Sequence, residues 1–164
     1  MKQNSRYKSM VSNVEILEKF QEVIAVRFES KSHIATGWNG VGFGIVKVSK
    51  PAPNVLIFDE SGSWQQDGGK EIRFTNIFRW SFLGDRLRLD HLRFGANNPV
   101  FLIEMATDEK GVWREINPHQ CGNDFYRASL HAENEKIFVT WSVRGPKRDA
   151  LIDYVYIARG TDFL

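Results

Sequence analysis

Apolar positions along this chain follow two periods. Near the N-terminus, Val14, Ile16, Leu17 and Phe20 recur at helical spacing, and Ser12 followed three residues later by Glu15 is a capping-box pattern. The spacing predicts a helix over 13–21, placed ahead of the rest as a plug or lid for one end of a domain. Beyond it the period falls to two. Glu22–Glu29 and Gly37–Val48 read as strands paired in an antiparallel hairpin. Pro51 and Pro53 break the chain before a strand over Val55–Glu60, and Ser61–Gly62 and Asp67–Gly68–Gly69 mark turns. Ile72, Phe74, Phe78, Trp80 and Phe82 share one parity, as in a half-buried strand. Gly84–Asp85 leads into Arg86–Phe94, Asn97–Asn98–Pro99 into Val100–Met105, and Asp108–Gly111 into Val112–Ile116. Strands over 119–132, 137–144 and 150–159 finish the chain.

About nine or ten such strands with one helix, and no strand–helix alternation, exclude a doubly wound sheet. A closed meander barrel and a two-sheet sandwich remain. Short sequential links without a long crossover favour the barrel, and closure removes the sheet edges. The predicted class is all-β with one short N-terminal helix: an antiparallel up-and-down barrel of about eight to ten strands, wide enough for one small ligand.

Composition narrows the function more by exclusion than by indication. The 164 residues suit one domain, here a flexible stretch over 1–11 and a barrel over 12–160. Lys and Arg total 22 against 20 Asp and Glu, and the scatter of both signs argues against a nucleic-acid partner held by bulk electrostatics. No stretch approaches the roughly 18 apolar residues of a membrane span. The single cysteine, Cys121, excludes an intrachain disulfide and a multi-cysteine metal site, and it suits a reducing cytoplasm. The first residues lack the apolar core of a secretory signal. No cofactor is expected.

Three clusters carry candidate chemistry. In Arg86–Phe94, Leu87 and Leu89 share parity with His91 and Arg93, so inward leucines bring the imidazole and guanidinium inward as well; the opposite phase would bury more charge. In the run from Pro118 to Tyr126, His119 and Cys121 lie on one face. A bulge at Gly122–Asn123 would return Asp124 and Tyr126 to that face. His119, Cys121 and Asp124 would then resemble a thiolate nucleophile with its base and orienting carboxylate. The simpler reading is a buried thiol beside a hydrogen-bonded histidine. A mononuclear metal site at His91, His119, Cys121 and Asp124 has no spacing motif behind it. In the third cluster Ile137, Val139, Trp141 and Val143 share a face, and Gly145–Pro146 turns amid Arg144, Lys147 and Arg148. These cations suit an anionic group at a barrel mouth, or a solvated hairpin paired with Asp149 and Asp153. Gly37, Gly40, Gly42 and Gly44 lack the context of a phosphate loop and suit curvature or close backbone approach.

Taken in order, Gly40-x-Gly42-x-Gly44, Phe58-Asp59-Glu60-Ser61-Gly62, Phe78-x-Trp80, His119-x-Cys121-x-x-Asp124-x-Tyr126, and Trp141-x-Val143-x-Gly145-Pro146-Lys147-Arg148-Asp149 with Tyr156-x-x-Arg159 resemble an uncharacterised bacterial and fungal domain family. The resemblance spans about residues 14–160 and implies a small lipocalin-like (calycin) barrel; it implies no activity. It marks His119, Cys121, Asp124, Tyr126, Trp141, Arg144 and Lys147 as pattern positions. The chain departs from the pattern at Ala150, where the family would place an aromatic residue.

These readings converge on a binding barrel for a small apolar or amphipathic ligand with a polar or anionic end. The expected ligand-binding residues are His91, Arg93, His119, Cys121, Tyr126, Trp141, Arg144 and Lys147. An enzyme using Cys121, His119 and Asp124, and a filled-barrel interaction module that self-associates as a homodimer, are the alternatives.

Overall fold

In the computed structural model, residues 14–34 and 39–160 are described. Ser12, the stretch over 1–11, Gly37, Trp38 and Thr161–Leu164 lie outside them. Helix α1 covers 14–21, and its apolar stripe packs Ile16, Leu17 and Phe20 into the core. Eleven strands follow among the described residues: β1 (Val23–Ser32), β2 (Gly40–Ala52), β3 (Val55–Gln66), β4 (Glu71–Leu83), β5 (Arg86–His91), β6 (Val100–Thr107), β7 (Trp113–Glu115), β8 (His119–Cys121), β9 (Asp124–Glu133), β10 (Lys136–Gly145) and β11 (Arg148–Ala158). All pair antiparallel in one sheet, running β10-β11-β1-β2-β3-β4-β5-β6-β7-β9-β8, and an added β9–β10 ladder closes it. The result is a closed ten-strand barrel, with β8 as a short extra strand on β9. The expected β1–β2 hairpin forms, with Ala25 opposite Ile45 and Ser30 opposite Gly40.

Three sequence-level boundaries are corrected. β3 runs straight through Ser61–Gly62 rather than turning, because the inward row Leu56, Phe58, Glu60, Gly62, Trp64 continues without a break in parity. At Gly62 the β2 backbone comes so close that a Cβ would meet Phe43 and Gly44, so the glycine serves a close strand approach. β2 continues past Pro51 to Ala52, absorbing the missing donor in a register shift between Ser49 and Ala52. The strand expected over 119–132 is two strands, β8 and β9, separated by a turn in which Gly122 adopts φ 62°.

The core fills the α1 end of the barrel. Phe20 is wholly buried, its ring 4.9 Å from Trp80, 5.5 Å from Phe82 and 5.7 Å from Phe58. Leu56, Leu87, Ile103, Met105, Trp113, Leu130 and Ile137 complete the layer, all essentially without solvent contact. On the outer wall Asp90 is buried between two guanidiniums, with Arg79 Nη2 3.2 Å and Arg88 Nη2 3.1 Å from its carboxylate. That pairing accounts for a charged side chain opposite in facing to Leu89.

Candidate functional site

At the end away from α1 the bore is open. Inward positions there are occupied by glycine, serine and alanine: Gly40, Gly42 and Gly44 on β2, Ser30 and Ser32 on β1, Ala150 on β11. The small side chains leave a cavity of about 510 Å³, walled by Phe28, Trp64, Phe74 and Tyr154, with Asn76 within and Lys147, Arg148 and Asp149 also lining it. A Cβ at Gly42 would strike the Phe28 ring, so the missing side chain lets that ring lie flat against the wall. Phe28 stacks on Tyr154 at 5.3 Å and meets Phe74 edge-on at 5.2 Å. A smaller hollow of about 160 Å³ is bounded by Trp80, Tyr126, Trp141 and Tyr156. Val143, Ile152 and Tyr154 line both spaces, so the two adjoin.

On the inward row of β3 sits a wholly buried carboxyl, Glu60, opposite the cavity-lining Asn76 in the ladder. The Tyr156 hydroxyl donates to Glu60 Oε1 at 2.7 Å. Burial pushes the Glu60 pKa up to about 7, against the opposing side-chain hydrogen bonds of Tyr156 and of Asn76 directly across the ladder. Burial, with the Glu60 charge beside them, also holds the Tyr154 and Tyr156 phenols well above their usual range. The Trp80 indole N–H, on the wall of the smaller hollow, is unpartnered.

The structure divides the expected site residues into groups. Tyr126 and Trp141 line the smaller hollow, and Lys147 lines the mouth. Arg144 is exposed on the parity opposite to inward Val143. In β5 the predicted phase holds through Leu87 and Leu89, both buried, to a half-buried His91 whose ring lies 4.9 Å from Phe78. Burial, then the nearby Arg93 charge, lowers the His91 pKa. Arg93 itself is not inward: the strand ends at His91, and the guanidinium sits exposed, 5.1 Å over the Phe94 ring.

His119, Cys121, Asp124 and Tyr126 do share one face, although by a different device from the expected bulge. The β8–β9 hairpin sets His119 opposite Tyr126 and Cys121 opposite Asp124, and cross-strand partners project to the same side. The thiol is exposed rather than buried. Asp124 is turned toward Arg148, 3.6 Å from its Nε, and Arg148 Nη1 donates to the Tyr126 hydroxyl at 3.4 Å. His119 rests against Phe101 at 5.6 Å. Among the described residues no three His, Cys, Asp or Glu side chains gather as a metal site, and no helix is long and apolar enough to cross a membrane.

Sequence reading missed Glu60, Asn76, Tyr154 and Tyr156. The signal was the shared parity of Leu56, Phe58 and Glu60 within the strand expected over Val55–Glu60, which turns Glu60 inward with the two apolar residues.

The barrel is similar to the solved S-type phycobiliprotein lyase CPES from Guillardia theta, with TM-score 0.58 at 9% identity over 93% of this chain and 97% of that one. A redesigned β-barrel, mFAP1, bound to DFHBI aligns with TM-score 0.42 at 8% identity, over 85% of this chain and 96% of its own. At such identities the likeness to the lyase is one of fold. No protein of curated function matches the sequence. The model of a family of unknown function, DUF6314, matches residues 19–158, most of the barrel, and the chain belongs to that family.

Proposed function

We propose that this protein is a lipocalin-like binding barrel for a small amphipathic molecule whose apolar body enters the bore and whose anionic end stays at the mouth. The observation that carries the reading is the cavity of about 510 Å³, walled by aromatic rings and rimmed by Lys147 and Arg148. Its size and apolar walls fall in the range of small-ligand sites. Burying its rings against a ligand's apolar surface supplies the drive, and the rim cations supply orientation. Arg148 is partly neutralised by Asp124, whereas Lys147 makes no ion pair among the described residues. Lys147 is therefore the stronger candidate for the ligand's anionic group.

The test uses anilinonaphthalene sulfonate, a flat aromatic anion, followed by displacement with carboxylates from octanoate to palmitate. Binding in the cavity gives fluorescence enhancement that the carboxylates reverse. Lys147→Ala should weaken binding by about tenfold, the loss of one charge-assisted contact. Ile152→Trp, at a half-buried position shared by both hollows, should abolish it by filling the bore. Binding left untouched by Ile152→Trp would place the probe elsewhere and end this reading.

A further inference from the structure

The rim accounts for one end of a ligand, and the polar side chains deeper in the bore define what the other end must be. Tyr156 and Asn76 are both committed to Glu60, whose carboxyl is itself wholly buried. Tyr154 is different. It stands on the inward row of β11, lines both hollows and is half-buried, and among the described residues its hydroxyl makes no hydrogen bond. Trp141 lines the smaller hollow from the neighbouring strand; its ladder partner is Ile152, so it stands diagonal to Tyr154, a spacing that long side chains bridge. An indole can only donate. Burial holds the Tyr154 phenol protonated, so it too offers a donor. None of the residues lining the smaller hollow carries a carboxylate or an amide. A ligand that expels water from this end must therefore bring a hydrogen-bond acceptor of its own. From Arg148 at the mouth to Tyr154, β11 runs about 20 Å at the usual strand rise, or about 15 Å along the axis of a tilted barrel. Between the two ends the rings of Phe28, Phe74 and Tyr154 offer stacking and edge surfaces that suit aromatic rings.

We propose that Tyr154, with Trp141 beside it, is the deep hydrogen-bond donor of this site, and that the ligand is an elongated aromatic carboxylate carrying a carbonyl at its far end. The carbonyl accepts from the Tyr154 hydroxyl while the carboxylate meets Lys147 at the rim. This rests on the binding-barrel reading above and adds the ligand class to it. The span between the two ends asks for two linked rings: a single-ring acid is too short to meet both, and an alkyl carboxylate reaches the depth without an acceptor.

The experiment compares a biphenyl carboxylate bearing an acetyl group at the far para position with its isopropenyl analogue, by calorimetric titration of the intact chain. The two probes share rings, charge and outline, and differ in an oxygen against a methylene. The wild-type protein should bind the ketone about fivefold more tightly, the contribution of one neutral hydrogen bond. Tyr154→Phe keeps the ring and its stack on Phe28 and removes the hydroxyl alone, so the preference should fall below about twofold. The isopropenyl acid should bind that variant as it binds the wild type, an outcome that a loss of folding would not mimic. Lys147→Ala should weaken both acids alike and retain the preference. Equal binding of the two acids by the wild-type chain overturns the deep donor and leaves the binding barrel standing. An unchanged preference in Tyr154→Phe overturns it as well, and so does loss of both acids there, since the hydroxyl would then be holding the fold rather than the ligand. If neither acid binds the wild type, the deep donor falls, and with anilinonaphthalene sulfonate also unbound the binding-barrel reading falls with it.

Discussion

The two ends of this barrel are built from the same alternation and come out differently. At the α1 end the inward positions carry Leu56, Phe58, Trp80, Phe82, Leu87 and Met105, and Phe20 drops in from the helix to close the layer. At the far end the inward row of β2 is Gly40, Gly42 and Gly44, and its neighbours on β1 are Ser30 and Ser32. Rings stand beside these small residues, Phe28 on β1, Phe74 on β4 and Tyr154 on β11, yet Phe28 and Phe74 lie along the wall because Gly42 and Gly44 leave them room, and Tyr154 stacks on Phe28. Whether a ten-strand bore is a core or a cavity is thus decided by the volume of a few inward side chains, and the polar–apolar pattern is the same in both cases.

The comparison is tested most sharply by removing one phenyl ring from each end. Phe20→Ala empties a wholly buried site between Trp80, Phe82 and Phe58, and should cost about 3–5 kcal/mol, the range for a buried Phe truncated in a packed core. Phe28→Ala removes a half-buried ring facing open space and should cost about 1–2 kcal/mol, since water already reaches the site. Urea unfolding of both variants reads the difference. Equal losses would mean that the open end is packed as tightly as the closed one.

The boundary between the ends can be read through pH. Glu60 is pushed up to about 7 in the fold from an ordinary value of 4.5, so the folded protein holds a proton between those values that the unfolded chain has released. Stability from this group is fully present below about pH 4.5 and is lost as pH rises through about 7, a swing on the order of 3 kcal/mol. Glu60→Gln removes the ionisation and should flatten that part of the profile, leaving the variant more stable than the wild type near pH 8. Thermal or urea midpoints across this pH interval provide the measurement. A wild-type profile already flat from about pH 5 to 8 would mean that water or a partner reaches the carboxyl.

How much of this was legible from the sequence follows the same division. The barrel, its meander order and the β1–β2 hairpin were carried by parity and turn residues, which are local. The phase of β5 was readable from Leu87 and Leu89, but Arg93 was not, because the strand ends at His91 before parity could bring it inward. The His119–Tyr126 cluster was seen as one face although its device was misread: a two-strand hairpin and a bulge both bring Cys121 and Asp124 to the same side. Glu60 shares parity with Leu56 and Phe58 in the expected strand, but the turn read at Ser61–Gly62 made it a strand-terminal residue; the real reason for Gly62 is nonlocal, the close passage of β2. Contacts between strands distant in sequence are not written in local composition.

The smallest expected effect on stability is the one that bears most directly on why the bore is open. In Gly42→Ala the new methyl group has to occupy space held by the Phe28 ring, and a flexible side chain gives way more readily than backbone. The ring has one free direction, off the wall and into the cavity, where it displaces solvent and leaves its stack on Tyr154. Overpacking of this kind costs about 1–2 kcal/mol, partly offset because alanine is a better strand residue than glycine. Ligand capacity should fall far more than stability does, and anilinonaphthalene sulfonate titration set beside a urea unfolding curve separates the two. The double variant Gly42→Ala with Phe28→Ala has no ring to displace and should recover binding. If Gly42→Ala binds the dye as the wild type does, the open end owes its space to something other than the small residues on β2.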